Sequence, residues 1–456
     1  MTTDPRDVIA SSPMSRLQMI VIAITIFLNA LDGFDVLSIS FASPGIANEW
    51  GIDRAALGIV LSMELIGMSI GSVLLGGVAD KIGRRPTILG CLVVMAVGMF
   101  MATTVTGLTD LSIWRIVTGL GIGGMLAAIN AVAAEFSSTR RRHLSVSLMS
   151  IGYPLGAVVG GVVAARLLRN YDWRAVFYFG ASVTAALIPV VFFGVPESVH
   201  WLARKQPEGA LKRINHALTR MGHAVVASLP TIPTDVRKRS IGDIFAPGLL
   251  ASTVIVTLAY FFHITTFYFI VKWVPKIVVD FGFPASSAAG VLVWANVGGA
   301  TGGALFGLLT QRYSVKALTI GMLVLSTALV ALFGRTPPDL ERLSLICAAA
   351  GFCTNAGIVG LYAIIAQAFP THVRAFGTGF TIGIGRGGSV LAPIVAGFLF
   401  AAGYSLPTVA MMLAIGSLLA AGMLMMLALD SDRPQGERER GAGRVDSAQN
   451  PAASRA

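Results

Sequence analysis

The feature that most constrains this chain is a series of apolar stretches, each about 20 residues long, separated by short polar segments. An α-helix of about 20 residues crosses a hydrocarbon core of about 30 Å. Backbone groups in lipid must be hydrogen-bonded within the protein, and a helix satisfies them within each segment. Only 12% of the 456 residues are charged, whereas a typical soluble domain has about 25%. The sequence therefore predicts an all-α polytopic membrane protein.

Twelve membrane spans can be assigned, with a polar segment in the middle of the chain. The predicted spans are 17–42, 55–79, 86–105, 111–135, 144–167 and 175–194, followed by 249–271, 286–309, 316–334, 342–367, 376–401 and 407–429. The chain then divides into an N-terminal six-helix half (1–195), a cytoplasmic central loop (196–248), a C-terminal six-helix half (249–429) and a cytoplasmic tail (430–456). The tail is rich in Arg, Glu, Gly, Ser and Pro, which predicts disorder.

The basic residues are concentrated in alternate loops. They include Arg84 and Arg85, the run from Arg140 to Arg142, and many positions of the central loop. Because cytoplasmic loops of membrane proteins carry an excess of Lys and Arg, both termini are predicted to be cytoplasmic. The net charge of +11 is thus explained by topology, and no nucleic-acid partner is expected. The N-terminal segment is polar and the first apolar run is too long for a cleavable signal peptide.

The two halves repeat each other weakly. The segment from Gly76 after the second span resembles the segment from Gly307 after the eighth, and Phe136 to Arg141 resembles Phe369 to Arg374 at nearly the same offset. Duplicated six-helix halves place a substrate site at their interface, near the middle of the membrane. Alternating access requires this arrangement.

The loop after the second span carries a motif. Gly76 to Arg85 fits G-x-x-x-D-[RK]-x-G-[RK]-[RK] and is similar to the loop signature of the major facilitator superfamily. Gly83 allows a tight turn, and Asp80 can cap a helix or pair with an arginine. The resemblance implies a gating role for Asp80, Gly83, Arg84 and Arg85, although the arginines could serve only to set topology. The second half departs from the signature at Gln311 and Ser314.

Four charged residues lie inside the N-terminal spans. Asp32 and Asp35 are three residues apart and share one side of the first span, about 15 Å and 10 Å from its outer end. Glu64 and Arg115 occupy the same half of the bundle in the second and fourth spans. Ionisable groups at membrane depth indicate function by default. We expect these four residues to couple transport to protons, although a static Asp–Arg pair would place the same charges here.

The Asp32-Gly33-Phe34-Asp35 element in the first span, with the loop motif and Arg115, resembles the aromatic acid:proton symporter family. The resemblance implies a major facilitator fold, import of an aromatic carboxylate with protons, and a requirement for both aspartates. It also assigns Glu135, at the end of the fourth span, to the gating residues. The resemblance covers residues 17 to 429.

Candidate substrate-binding residues lie in the C-terminal spans. Arg386 is near mid-membrane between glycines that leave room beside it, and an arginine can hold a carboxylate with two parallel hydrogen bonds. Tyr260, His263 and Phe267 could surround an aromatic ring. Asn296 and Asn355 could bind ring hydroxyls. For each of these residues, packing or hydrogen bonding between helices is the alternative interpretation.

No enzymatic arrangement is evident, because a P-loop, a Ser/His/Asp set and a metal-ligand cluster are all missing from the sequence. No cofactor is expected. The sequence predicts a monomeric carrier of the bacterial inner membrane that takes up a benzoate, hydroxybenzoate, phenylpropanoate or lignin-derived acid with protons. A proton-driven drug or metabolite exporter of the same fold is an alternative, and a sensor that binds without transport is another.

Overall fold

The computed structural model describes residues 4–231, 244–370 and 373–427. The tail predicted to be disordered, residues 430–456, lies outside the described residues, as does part of the central loop. The helices of the first half and the central segment are α1 (Pro5–Ser11), α2 (Arg16–Trp50), α3 (Arg54–Ile82), α4 (Arg84–Ala102), α5 (Leu108–Glu135), α6 (Arg142–Asn170), α7 (Arg174–Gly194), α8 (Val199–Lys205) and α9 (Ala210–Arg220). The second half has α10 (Leu250–Asp280), α11 (Ala285–Leu309), α12 (Val315–Phe333), α13 (Leu340–Ala368), α14 (Arg374–Gly385), α15 (Gly387–Ala401) and α16 (Leu406–Met426).

The predicted all-α fold with twelve spans is confirmed. Within the described residues, 12 helical segments are long and apolar enough to cross a membrane, and α14 and α15 together form one of them. We call the ends that carry the arginine-rich loops and the central segment the basic side. The other ends, marked by Trp50, Arg54 and Asp280, form the opposite side.

Two spans are longer than predicted. The first continues to Trp50 instead of ending at 42, because Pro44 does not stop the helix. A proline cannot donate a hydrogen bond to the carbonyl four residues earlier. Here the Ser43 hydroxyl donates to that carbonyl, the Ser40 oxygen, at 2.9 Å. The seventh span likewise continues to Asp280 instead of ending at 271, which brings Lys272 inside the bundle.

Glycine contacts repeat in both halves. A methyl group added at Gly67 would lie 2.2 Å from the Ile116 oxygen, and one at Gly119 would lie 2.1 Å from the Glu64 oxygen, so α3 and α5 touch through their backbones. Gly298 and Gly351 form the same reciprocal contact between α11 and α13. Small residues let membrane helices approach closely. The packing therefore supports the two related halves that the sequence predicts.

We expect Gly156→Ala to destabilise the protein. An added methyl group would lie 1.7 Å from the Ala30 oxygen, so α2 and α6 would have to separate. The apparent melting temperature in detergent should fall by about 5 °C or more. Gly90→Ala in α4 is the matched control, because an added methyl group there meets nothing within 4 Å. Equal melting temperatures for the two variants would contradict this account of the helix contact.

The two halves are joined by polar contacts on the opposite side. Arg54 of α3 pairs with Asp280 of α10 at 2.9 Å. The Ser62 hydroxyl of α3 donates to the Val390 oxygen of α15 at 2.7 Å. These contacts hold α3 against the C-terminal half at the end of the bundle away from the arginine-rich loops.

Candidate functional site

Five charged side chains are buried together near mid-depth. This charge cluster consists of Asp32 and Asp35 on α2, Glu64 on α3, Arg115 on α5 and Lys272 on α10. None of them is more than 1% exposed. Its four N-terminal members are the residues that the sequence predicts to couple protons, and Lys272 belongs to the other half.

Arg115 is held by partners on several helices. Its Nη2 lies 2.5 Å from Glu64 Oε1 and donates to the backbone oxygen of Asp35 at 3.1 Å. Its guanidinium also lies over the Phe177 ring, 5.2 Å from the centroid. The expected alternative of an Asp–Arg side-chain pair is therefore not what the structure contains. Arginine pairs with the glutamate instead and touches only the main chain of Asp35.

Lys272 connects the halves through the charge cluster. Its Nζ donates to the backbone oxygen of Val36 on α2 and lies 3.7 Å from Glu64 Oε2. A buried ammonium is costly unless it is paired and hydrogen-bonded. Glu64 thus contacts one cation from each half of the molecule.

Within the described residues, Asp32 and Asp35 differ from Glu64 in making no ion pair with an arginine or a lysine. Both carboxyl oxygens of each aspartate are buried and have no hydrogen-bond partner in the described structure. The charge cluster holds three carboxyl groups and two cations, and both cations contact Glu64. An ionised carboxylate buried without a partner is strongly unfavourable. The two aspartates are therefore the carboxyl groups of the cluster that no cation contacts directly.

Arg386 lies at the break between α14 and α15, and four tyrosine side chains lie near it. This tyrosine cage consists of Tyr153 from α6, Tyr260 and Tyr268 from α10, and Tyr362 from α13. The hydroxyls of Tyr260 and Tyr362 are 3.2 Å apart. Arg386 is half-buried, and its side chain makes no ion pair within the described part of the chain. It is a cation available to a ligand, with aromatic rings around it.

Two of the glycines beside Arg386 pack against α10, whereas the sequence predicts that they leave room for a ligand. A methyl group at Gly385 would lie 2.2 Å from Tyr260 Cδ1, and one at Gly388 would lie 2.3 Å from the Phe261 oxygen. These two glycines bring α14 and α15 close to α10 instead of leaving room. Gly383 has nothing within 4 Å, so open space exists on only one side of the break.

Tyr153 links the tyrosine cage to the charge cluster. Its side chain lies near Asp32, Glu64 and Arg386. Its backbone oxygen also packs directly on Gly33, since an added methyl group there would lie 2.0 Å away. One tyrosine is therefore a neighbour of both the proton-binding candidates and the candidate anion-binding arginine.

A small cavity lies between the halves beside these groups. Its volume of about 30 Å³ has room for one or two water molecules. The lining side chains come from α6, α10, α11 and α13 and include Tyr153, Phe267, Asn296 and Asn355. Asn355 also donates to the Gly299 oxygen at 2.6 Å, and Asn296 to the Leu292 oxygen at 2.8 Å. Three predicted substrate residues are thus at the cavity, two of them with structural hydrogen bonds.

His263 is not at the cavity. It is fully buried in the C-terminal half, where Nδ1 lies 2.8 Å from Ser417 Oγ and Nε2 lies 2.8 Å from the Thr354 oxygen. Both ring nitrogens are therefore occupied by neighbouring helices. These contacts favour the alternative interpretation, hydrogen bonding between helices, because the histidine joins α10, α13 and α16. Tyr260 also lies outside the cavity lining, but it belongs to the tyrosine cage.

The predicted gating residues meet on the basic side. Arg84 Nη1 pairs with Asp80 Oδ1 at 2.7 Å, and Arg84 Nη2 pairs with Glu135 Oε1 at 3.1 Å. Glu135 also accepts a hydrogen bond from Ser198 Oγ at 2.5 Å. The network joins the ends of α3 and α5 to the start of α4. Arg85 is turned away from it and donates to the Phe192 oxygen.

Gly83 is required by the backbone of this loop. Its φ of 115° is a conformation that side chains rarely adopt. An added methyl group would also lie 2.3 Å from Glu197 Oε2. Glu197 Oε1 accepts hydrogen bonds from the backbone N–H groups of Arg84 and Ser198. Burial raises the pKa of the Glu197 carboxyl, and these N–H donors oppose that rise.

We compared the chain with known protein families. A family model described as Major Facilitator Superfamily matches residues 23–334 and 256–454. The chain belongs to the Major Facilitator Superfamily. A solved D-xylose–proton symporter has the same fold, with a TM-score of 0.71 at 16% identity over 91% of this chain and 98% of that one.

Among curated members of the superfamily, this major facilitator is similar to proteins named for aromatic acids. A gallate transporter of Pseudomonas putida is 27% identical over 92% of this chain and 93% of its own length. A 4-hydroxybenzoate transporter of the same species is 28% identical over 91% and 94%, respectively. These similarities extend through both halves of the fold.

Sequence reasoning missed Lys272 and most of the tyrosine cage of this major facilitator. Ending the seventh span at 271 placed Lys272 outside the membrane, although the apolar run continues to Val279. The continuation of the apolar run could have shown that Lys272 lies inside the span. Tyr153, Tyr268 and Tyr362 gave none, because tyrosines at these spacings also pack or face lipid. Only the packing of α6, α10 and α13 near Arg386 identifies them.

Proposed function

We propose that this chain imports an aromatic carboxylate together with protons across the bacterial inner membrane by alternating access. The observation that carries the proposal is the position of Arg386 in the tyrosine cage, one tyrosine away from Asp32. The names of the relatives, which include gallate and 4-hydroxybenzoate transporters, support the same substrate class. Benzoates, hydroxybenzoates, phenylpropanoates and lignin-derived acids all share the required carboxylate and ring.

In this proposal, Arg386 holds the carboxylate with two parallel hydrogen bonds. The rings of the tyrosine cage stack on or against the aromatic ring. Asn296 and Asn355 line the neighbouring cavity and offer amide groups to ring hydroxyls. Because the cavity holds only one or two water molecules in this conformation, it must widen to admit the substrate.

Asp32 and Asp35 carry the protons in this proposal. Both are buried without hydrogen-bond partners, so closing the site around them favours the protonated form. Opening to water favours the ionised form. Tyr153 packs on Gly33, beside Asp32, and also lines the cavity between the halves. We expect an anion bound there to favour proton binding at Asp32, because a nearby negative charge disfavours the ionised carboxylate.

The conformation fits a carrier whose basic side is cytoplasmic. The polar contacts Arg54–Asp280 and Ser62–Val390 join the halves on the opposite side. Lys272 adds a contact at greater depth. With the basic side in the cytoplasm, as the loop arginines indicate, these contacts close the outward path. We interpret the structure as a form that is closed to the outside.

Uptake into proteoliposomes tests the proposal. Labelled 4-hydroxybenzoate or benzoate should accumulate when the lumen is more alkaline than the outside, and a protonophore should abolish accumulation. Liposomes without protein are the control. Uptake at equal rates with and without the gradient would contradict proton symport. Proton-driven extrusion of the compound would instead identify an exporter, and binding without flux would identify a sensor.

We expect Lys272→Met to weaken closure on the opposite side. The change removes the ammonium that contacts Val36 and Glu64 across the two halves, while Glu64 keeps Arg115. Distances between spin labels at Thr106→Cys and Tyr404→Cys, one on each half, should then include a longer population. Proton-driven uptake should fall about tenfold, which corresponds to about 1.4 kcal/mol.

Arg169→Gln is the control for this variant. Arg169 is an exposed cation near the end of α6 on the opposite side, away from the polar contacts that join the halves. It should leave both the label distances and uptake close to wild type. The three native cysteines are buried and can be replaced before labelling. An unchanged distance distribution in Lys272→Met would remove Lys272 from the closing mechanism.

A further inference from the structure

A cavity of about 320 Å³ lies on the basic side at the edge of the N-terminal half. It is enclosed by the start of α4, the segment after α7, and α8 and α9. The lining residues are Arg85, Pro196, Glu197, Leu202, Lys212, Arg213, His216, Ala217 and Arg220. The substrate proposal does not use this cavity, which is separate from the charge cluster and the tyrosine cage.

The lining is strongly cationic. Arg85, Lys212, Arg213 and Arg220 all contribute to it, against one carboxyl group, that of Glu197. One oxygen of this carboxyl group, Oε1, accepts backbone hydrogen bonds from Arg84 and Ser198, which fix Glu197 in the wall of the cavity. The side chains of α9 on this surface are exposed. The cavity therefore presents an excess of positive charge to whatever enters it.

Helix α9 is fixed in place by its apolar face. It buries Ile214, Ala217 and Leu218 against the N-terminal half. Its polar face carries Lys212, Arg213 and Arg220. The cations are thus mounted on a packed helix at a defined position, and not on a loose loop.

The cavity borders the lipid-facing surface of α7. Arg85 Nη2 donates to the Phe192 oxygen at 2.5 Å and its guanidinium lies 4.9 Å from the centre of the Phe192 ring. Arg220 Nη2 donates to the Phe193 oxygen at 3.3 Å. The two phenylalanines are 50% and 73% exposed at the end of a membrane span. Cationic and apolar surfaces therefore meet at the level of the lipid headgroups.

We propose that this cavity binds the headgroup of an anionic glycerophospholipid of the leaflet on the basic side. The phosphate would be held by Lys212, Arg213 and Arg220, and the acyl chains would lie along the exposed phenylalanines of α7. A cluster of cations next to a membrane span favours anionic lipids. A soluble phosphate compound would use the cations but would gain nothing from the apolar surface beside them. The adjacent lipid-facing surface therefore favours a lipid as the occupant.

Lipid binding to the full-length protein in detergent tests this proposal. Native mass spectrometry with added phosphatidylglycerol should show at least one lipid retained in preference to phosphatidylcholine. Lys212→Gln/Arg213→Gln should lower the affinity for that lipid about tenfold. The charge-retaining exchange Lys212→Arg/Arg213→Lys should keep it within about threefold of wild type.

Arg140→Gln/Arg141→Gln is the matched control, because it removes two exposed cations from another loop of the basic side. It should leave the retained lipid unchanged. An equal loss in both double variants would show non-specific attraction and overturn the proposal, as would no loss in either. Displacement of the lipid by millimolar glycerol phosphate would also overturn it, by assigning the cavity to soluble phosphates. These readouts are independent of transport activity.

Discussion

Replacing Arg386 with Gln is expected to abolish binding and uptake of aromatic carboxylates. Glutamine removes the charge and the paired N–H donors that the proposal assigns to the carboxylate, while it keeps a polar side chain of similar length. Hydrogen bonds to charged groups contribute about 1.5–3 kcal/mol each. Loss of two should lower the affinity about 100-fold or more, as measured by isothermal titration with 4-hydroxybenzoate and benzoate.

Two further variants test whether the loss of binding is specific to the guanidinium group of Arg386. Arg386→Lys keeps the charge without the planar fork, so binding should be intermediate. Arg342→Gln removes an exposed arginine near the start of α13 and should bind as wild type does. Wild-type affinity in Arg386→Gln would remove this residue from the substrate site. It would also leave the tyrosine cage without its proposed role.

Replacing Asp32 with Asn is expected to abolish proton-driven accumulation while exchange continues. Asparagine has the shape of a protonated aspartic acid but cannot release a proton. Exchange of internal for external substrate requires no net proton movement, so it should remain within about threefold of wild type. Accumulation under an inward proton gradient should fall about 100-fold or more, because the driving ion no longer binds and leaves.

Asp110→Asn is the control for Asp32→Asn, because Asp110 is an exposed carboxylate in the first turn of α5. It should retain both accumulation and exchange. If Asp32→Asn accumulates substrate against a gradient as well as wild type does, Asp32 is not the proton carrier. If exchange is also lost, the asparagine has disturbed the site, and Asp35→Asn then tests whether the other carboxyl group carries the proton.

The fold was predictable because its determinants are local. Each span is a run of apolar residues long enough to cross a membrane, and the loop arginines alternate between sides. The predicted end of the first span was wrong because a local hydrogen bond offsets the effect of the proline. Ser43 satisfies the carbonyl that Pro44 leaves free, so the first helix continues.

The candidate site was predictable only in part. Asp32, Asp35, Glu64 and Arg115 stand out because charge is rare at membrane depth. Their pairing was not predictable, since it depends on how helices rotate when they pack. Arg115 therefore meets Glu64 and not the aspartates. Lys272 required the correct end of α10, and His263 looked like a ligand until its two hydrogen bonds within the bundle were known.

The glycine contact between α2 and α6 has a mechanical consequence. Because Gly33 packs on the backbone oxygen of Tyr153, the tyrosine cannot move far from the helix that carries Asp32. Arg386 belongs to the other half and would move with α10. Each transport cycle would then draw the Tyr153 hydroxyl toward the arginine and away from it again. The distance between these two groups would report the stage of the cycle, so a probe at Tyr153 should follow transport in time.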